Sequence, residues 1–137
     1  MAKVLVVNTL TLDGVMQAPA RADEDTRGGF VHGGWAVAYQ DPVIAARMGE
    51  MMAQARGSLL LGRRTFEDFY AVWPKRPDNP YSEHLTKATK YVASKTLEEP
   101  LPWQNSILLE GEAGATVAEL KQHHDGDLTI LGSGELV

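Results

Sequence analysis

Five short apolar runs, separated by polar or helix-patterned sequence, constrain this polypeptide more than any other feature. They are Val4-Leu5-Val6-Val7, Ser58-Leu59-Leu60-Leu61, Lys90-Tyr91-Val92-Ala93, Ser106-Ile107-Leu108-Leu109 and Leu128-Thr129-Ile130-Leu131. Runs this short and this uniformly apolar read as strands covered on both faces, because a half-exposed strand would alternate. The first run is therefore expected as a central strand that ends near Thr9. Helical signals fall between the runs. Asp41 can cap a helix with Pro42 at its first position, and Ile44, Met48, Met51, Met52 and Ala55 follow at helical spacing toward an end near Arg56-Gly57. The three methionines are expected to fill a core. Thr65-Phe66-Glu67-Asp68 matches an N-terminal cap with Phe66, Phe69 and Tyr70 turned inward, and Trp73-Pro74 closes that helix. Tyr81 to Ala88 holds a short helical turn. Thr116 and Glu119 form a capping box for a last helix that ends near His123-His124, with Val117, Leu120 and Ala118 facing the core. Strands alternating with helices in this way imply β-α-β units, a mainly parallel sheet and the α/β class.

Between Val15 and Gln40 no regular element is expected. The turn signal Asp13-Gly14 is followed by Pro19, the charged stretch Arg21 to Arg27, Gly28-Gly29 and Gly33-Gly34. A loop this long in a compact domain is commonly a lid or a binding loop, which makes Trp35 a candidate lid residue. The length of 137 residues supports one core and hence a single domain, 1–137. With 13 Lys+Arg against 18 Asp+Glu the net charge is −5, which offers no general basic face for nucleic acid. The absence of cysteine removes disulfides, thiolate nucleophiles and thiolate metal sites. His123-His124 would face different ways on a helix, and Asp23-Glu24-Asp25 lacks calcium-loop spacing, so no metal is expected. No stretch approaches the roughly 20 apolar residues of a membrane span, so no membrane partner is expected, and the reading is cytoplasmic.

Two of the apolar runs end in glycine at a turn: Leu61-Gly62-Arg63-Arg64-Thr65 and Leu131-Gly132-Ser133-Gly134-Glu135. In open α/β sheets ligands bind beyond the carboxyl ends of the strands, where glycine lets a phosphate approach the N–H groups at a helix start. Arg63-Arg64 is the densest positive charge in an acidic chain, and guanidinium forms a fork that suits a phosphate. Against this, Gly62 can be only a tight turn and adjacent arginines only a solvated surface. Gly-Ser-Gly is also weaker than a full dinucleotide fingerprint, since Val137 stands where that pattern would place its last glycine.

Taken with the apolar strand before it, Gly62-Arg63-Arg64-Thr65-Phe66-Glu67 resembles the GR-x-T-[FW]-E signature of dihydrofolate reductases. The resemblance runs from the first strand with Leu12-Asp13-Gly14-Val15, through Gly62 to Glu67 and Val92-Ala93-Ser94, to Ile130 to Gly134. The chain is most similar to stand-alone relatives of the reductase domain of the riboflavin-pathway deaminase-reductase, in which an S/T-x-D-G turn follows the first strand, as Thr11-Leu12-Asp13-Gly14 does here. This resemblance implies a three-layer α/β/α fold and NADPH as cofactor. Gly62, Arg63, Arg64 and Thr65 would meet the pyrophosphate and 2′-phosphate, Ser94 and Lys95 would lie at the adenosine end, and Gly132, Ser133 and Gly134 would let the cofactor cross the strands. Arg63, Arg64 and Lys95 are the cations available to prefer NADPH over NADH.

The proton donor is the open position. Dihydrofolate reductases place a carboxylate on the first helix, and 42–54 offers only Glu50. Asp13 and Asp41 are the other candidates to orient a polar ring or relay a proton, with turn former and helix cap as their equally available local roles. The implied activity is hydride transfer to a small pterin-like or pyrimidine-like heterocycle, of the dihydrofolate reductase or 5-amino-6-(5-phosphoribosylamino)uracil reductase type. The alternative is a nucleotide-binding module without turnover. Members of the resembled family continue past the turn at Gly134 with a helix and further strands. A chain truncated at its C-terminus, a homodimer, or completion by another chain segment is therefore expected.

Overall fold

The order of the strands, β1-β5-β2-β3-β4, decides which turns become neighbours. The strands are β1 (Val4–Val7), β2 (Ser58–Gly62), β3 (Lys90–Ser94), β4 (Ser106–Glu110) and β5 (Leu128–Leu131). All four pairings are parallel, with Leu60 opposite Ile130 and Gly62 opposite Ala93. The helices are α1 (Pro42–Gln54), α2 (Arg63–Val72), α3 (Pro80–Lys87) and α4 (Ala113–His123). This computed structural model describes residues 1–54 and 57–137, without the side chain of residue 53. The expected helix end at Arg56 and the apolar position Ala55 lie outside the described residues. The chain divides into two compact units, Met1–Val7 with Ala55–Val137, and Asn8–Gln54.

The first unit has three layers. On one face of the sheet Leu59, Leu61 and Val92 pack with Phe66 of α2, Leu85 of α3 and Trp103. Trp103 belongs to the connection between β3 and β4, which contains no helix and covers the sheet with Leu97 and Leu101 instead. On the other face Leu60, Leu128 and Ile130 pack with Val117 and Leu120 of α4. The uniformly apolar runs are thus explained, because neighbouring residues of β2 serve opposite cores. Entry into β2 needs glycine for lack of space: a Cβ on Gly57 would stand 1.8 Å from the Asp127 carbonyl oxygen.

Four expectations are corrected. β1 is an edge strand among the described residues, and Leu5 and Val6 on its two faces are 47% and 45% exposed. Its apolar character signals two coverable faces, which composition alone does not distinguish from two covered ones. Thr65 does not cap α2: the helix starts two residues earlier, with Gly62 at the cap and no side chain bonded to the first turn. Thr116 does not cap α4 either, since Glu112 accepts from the Ala115 amide and the Thr116 hydroxyl turns back to the Glu112 and Ala113 carbonyls. Ala118 is exposed while Val117 and Leu120 pack.

In the second unit, α1 begins as expected with the Asp41 carboxylate accepting from the Val43 amide at 2.7 Å. Its apolar positions are not uniformly buried, for Ile44 and Met51 stand exposed while Met48 and Met52 are half-buried. The long loop contains two short 3₁₀ turns, Arg27–Gly29 and Trp35–Tyr39. Polar side chains organise the rest. The Glu24 carboxylate accepts from the Ala20 and Arg21 amides, the Gln17 amide donates to the Asp25 and Arg27 carbonyls, and the Trp35 indole donates to Gln17.

Candidate functional site

Because β5 lies beside β2, the two glycine turns that are 70 residues apart in sequence leave the same end of the sheet side by side. They are braced against each other. The Gly62 amide donates to Ser133 Oγ at 3.0 Å, and the Ser133 amide donates to Thr65 Oγ1 at 3.1 Å. Gly132 and Ser133 both take left-handed backbone angles, φ +63° and +46°. A side chain at Gly132 would face Thr65, with its Cβ 3.5 Å from the Thr65 hydroxyl, and it would have to adopt a conformation that L-residues avoid. Thr65 therefore serves the neighbouring turn rather than its own helix. Its hydroxyl is the acceptor that holds Ser133 in a strained geometry.

The first turn of α2 has no side-chain cap and no acidic residue. Its leading N–H groups and the positive end of its dipole are accordingly available to an anion. Arg63 and Arg64, expected in the turn before the helix, occupy its first two positions, and both are engaged. Arg63 pairs with Glu67 one turn along at 3.3 Å, and Arg64 pairs with Glu135 of the other turn at 2.8 Å. Glu135, which the sequence did not single out, is thus part of the site. Its position one residue past Gly-Ser-Gly was the available signal.

Ser94 and Lys95 lie at the carboxyl end of β3, where Ala93 is paired with Gly62. They share the sheet end with the glycine turns. The Ser94 hydroxyl accepts from the Thr96 and Leu97 amides and so fixes the turn that leaves the strand. Lys95 is exposed and acts on Glu112, whose carboxyl is held below its usual range chiefly by the Ala115 amide, then that of Gly114, with Lys95 adding to this.

Asp13 and Asp41 belong to the second unit, and both carry local roles. Asp13 accepts from Thr11 Oγ1 at 2.6 Å inside a turn closed by Thr11 and Val15, and that hydrogen bond holds its carboxyl below the usual carboxylate range. A carboxylate so stabilised accepts protons reluctantly. Asp41 caps α1. Glu50 pairs with Arg47 on the same helix at 2.8 Å.

In sequence Lys90 is only the first residue of a strand, yet it is fully buried. Its ammonium donates to the Leu85, Thr86 and Ala88 carbonyls at the end of α3 and lies 4.5 Å from the centre of the Trp103 ring. Burial lowers its pKa to about 8. It supports the core beneath β3, and a lysine opening an apolar strand just after a helix was its signal.

Fold and turns together define an α/β protein with a parallel sheet whose two glycine turns meet at the carboxyl ends of its strands. Comparison with known families makes this specific: the model of the RibD C-terminal domain matches residues 2–137, and the chain belongs to that family. That is the domain whose stand-alone relatives the chain resembles. The expected resemblance is borne out over the whole chain. A solved structure from Shewanella sp. PV-4, of a protein described as a riboflavin biosynthesis protein, superposes with a TM-score of 0.53 at 23% identity. The match covers 95% of this chain and 64% of that one, and at this identity it bears on the fold alone. The curated proteins give no match.

Proposed function

We propose that this protein is an NADPH-dependent reductase that delivers hydride to a small pterin-like or pyrimidine-like heterocycle. The observation that carries the reading is the pair of braced glycine turns beside an uncapped helix start with two arginines. The residues suit a dinucleotide. Gly62 packs its backbone against Ser133, Gly132 allows a left-handed turn, and the first turn of α2 has no side-chain cap. When bound, NADPH supplies the hydride. Gly62, Arg63, Arg64 and Thr65 would hold its pyrophosphate and 2′-phosphate, Gly132, Ser133 and Gly134 would shape its path, and Ser94 and Lys95 would meet the adenosine end. Orientation of the two reactants is then the protein's main contribution to rate. Asp41, Asp13 or a water held by one of them serves the proton. Asp13, kept ionised by Thr11, suits the orienting of a polar ring better than the donating of a proton.

The test is to mix the protein with NADPH and a panel of pterins and riboflavin-pathway pyrimidines and follow coenzyme oxidation. Turnover of one such heterocycle is the expected result, and replacing both Arg63 and Arg64 by alanine should weaken NADPH by a few kcal/mol and NADH by much less. Coenzyme binding with no substrate reduced would leave a nucleotide-binding module. Equal losses for both coenzymes would remove the 2′-phosphate assignment.

A further inference from the structure

Resting on that reading, we infer that Glu135 tunes ligand affinity at this site: its carboxylate holds Arg64 where a phosphoryl group of the ligand would, and a nucleotide binds by taking its place. The geometry is direct. Arg64 Nη1 lies 2.8 Å from Glu135 Oε1, joining the second residue of α2 to the residue just past Gly132-Ser133-Gly134. The bond therefore spans the two turns between which the phosphates would lie. Both side chains are largely in water, 52% and 77% exposed, so the pair is weak and costs little to open. A phosphate dianion offers the same guanidinium a stronger, two-pronged partner. Glu135 then stands beside that phosphate as a like charge, and it lowers affinity for any anion that takes Arg64. Affinity at this point is set by a built-in competitor as well as by attraction. The Arg63–Glu67 pair lies within one helix at 3.3 Å and does not bridge the turns, which makes Glu67 the natural control.

The experiment is calorimetric titration of the full chain and its E135Q, E135K and E67Q variants with NADPH and with NADH at low salt. E135Q should bind NADPH about three- to tenfold more tightly than the parent, and E135K more tightly still. E67Q should shift affinity less than E135Q, and the E135Q gain should vanish when Arg64 is also replaced by alanine. A gain confined to NADPH assigns Arg64 to the 2′-phosphate, and an equal gain for NADH assigns it to the pyrophosphate; both outcomes support the exchange. Unchanged or weaker binding by E135Q, in a protein whose parent binds NADPH, overturns the role of Glu135 and leaves the coenzyme site intact. A parent chain that binds neither coenzyme overturns both.

Discussion

A single lysine shows how the interior supports the site. Lys90 opens β3, and its ammonium ties the end of α3 to the strand that carries Ala93 and Ser94 to the glycine turns. Burial shifts its pKa from 10.5 to about 8. The folded protein thus releases this proton near pH 8, while the unfolded chain keeps it up to the ordinary lysine range. Between those values the unfolded state binds more protons, so this group makes stability rise with pH, and the penalty for burying its charge is fully present below pH 8. Denaturation of the parent and K90M should show the parent gaining on the variant between pH 8 and 10.5, by at most about 3 kcal/mol. A difference independent of pH across that range would mean that Lys90 stays charged on its carbonyls throughout. The sequence shows only a lysine opening an apolar strand just after a helix; its partners are backbone oxygens at that helix end, which no residue type reveals.

At the scale of elements, the sheet separates strands that look alike in sequence. Leu60 of β2 is 1% exposed and Leu5 of β1 is 47% exposed, although both sit in continuous aliphatic runs. Leu60→Ala should cost about 2–5 kcal/mol in chemical denaturation, and Leu5→Ala well under half as much. Similar losses would place β1 inside the sheet. All five strands and their parallel pairing were legible, because apolar runs interleaved with helical spacing permit few other arrangements. Strand order was not, since it depends on which faces find partners far along the chain. Helix starts were misplaced at Thr65 and Thr116 for a related reason. A threonine near a helix start reads as a cap, but the Thr65 hydroxyl is taken by the Ser133 amide, 68 residues away. The glycines and arginines of the site were legible from turn chemistry and charge, whereas Glu135 and the bracing hydrogen bonds emerge only once β5 lies against β2.

For the whole molecule, a net charge of −5 opposes the approach of any anionic ligand, so the proposed coenzyme site must rest on local features. Those features are gathered at one end of one sheet, contributed by β2 with α2, the end of β3, and β5. Membership of the RibD C-terminal domain family accords with this concentration, while the chain spans 64% of the length of the Shewanella structure. The central claim is that the two braced turns together receive the phosphates of NADPH. It is tested most directly by following backbone amide resonances during titration with that coenzyme. Gly62 to Thr65 and Gly132 to Gly134 should shift together and saturate with one dissociation constant. Saturable binding that moves neither turn, or only one of them, would contradict it.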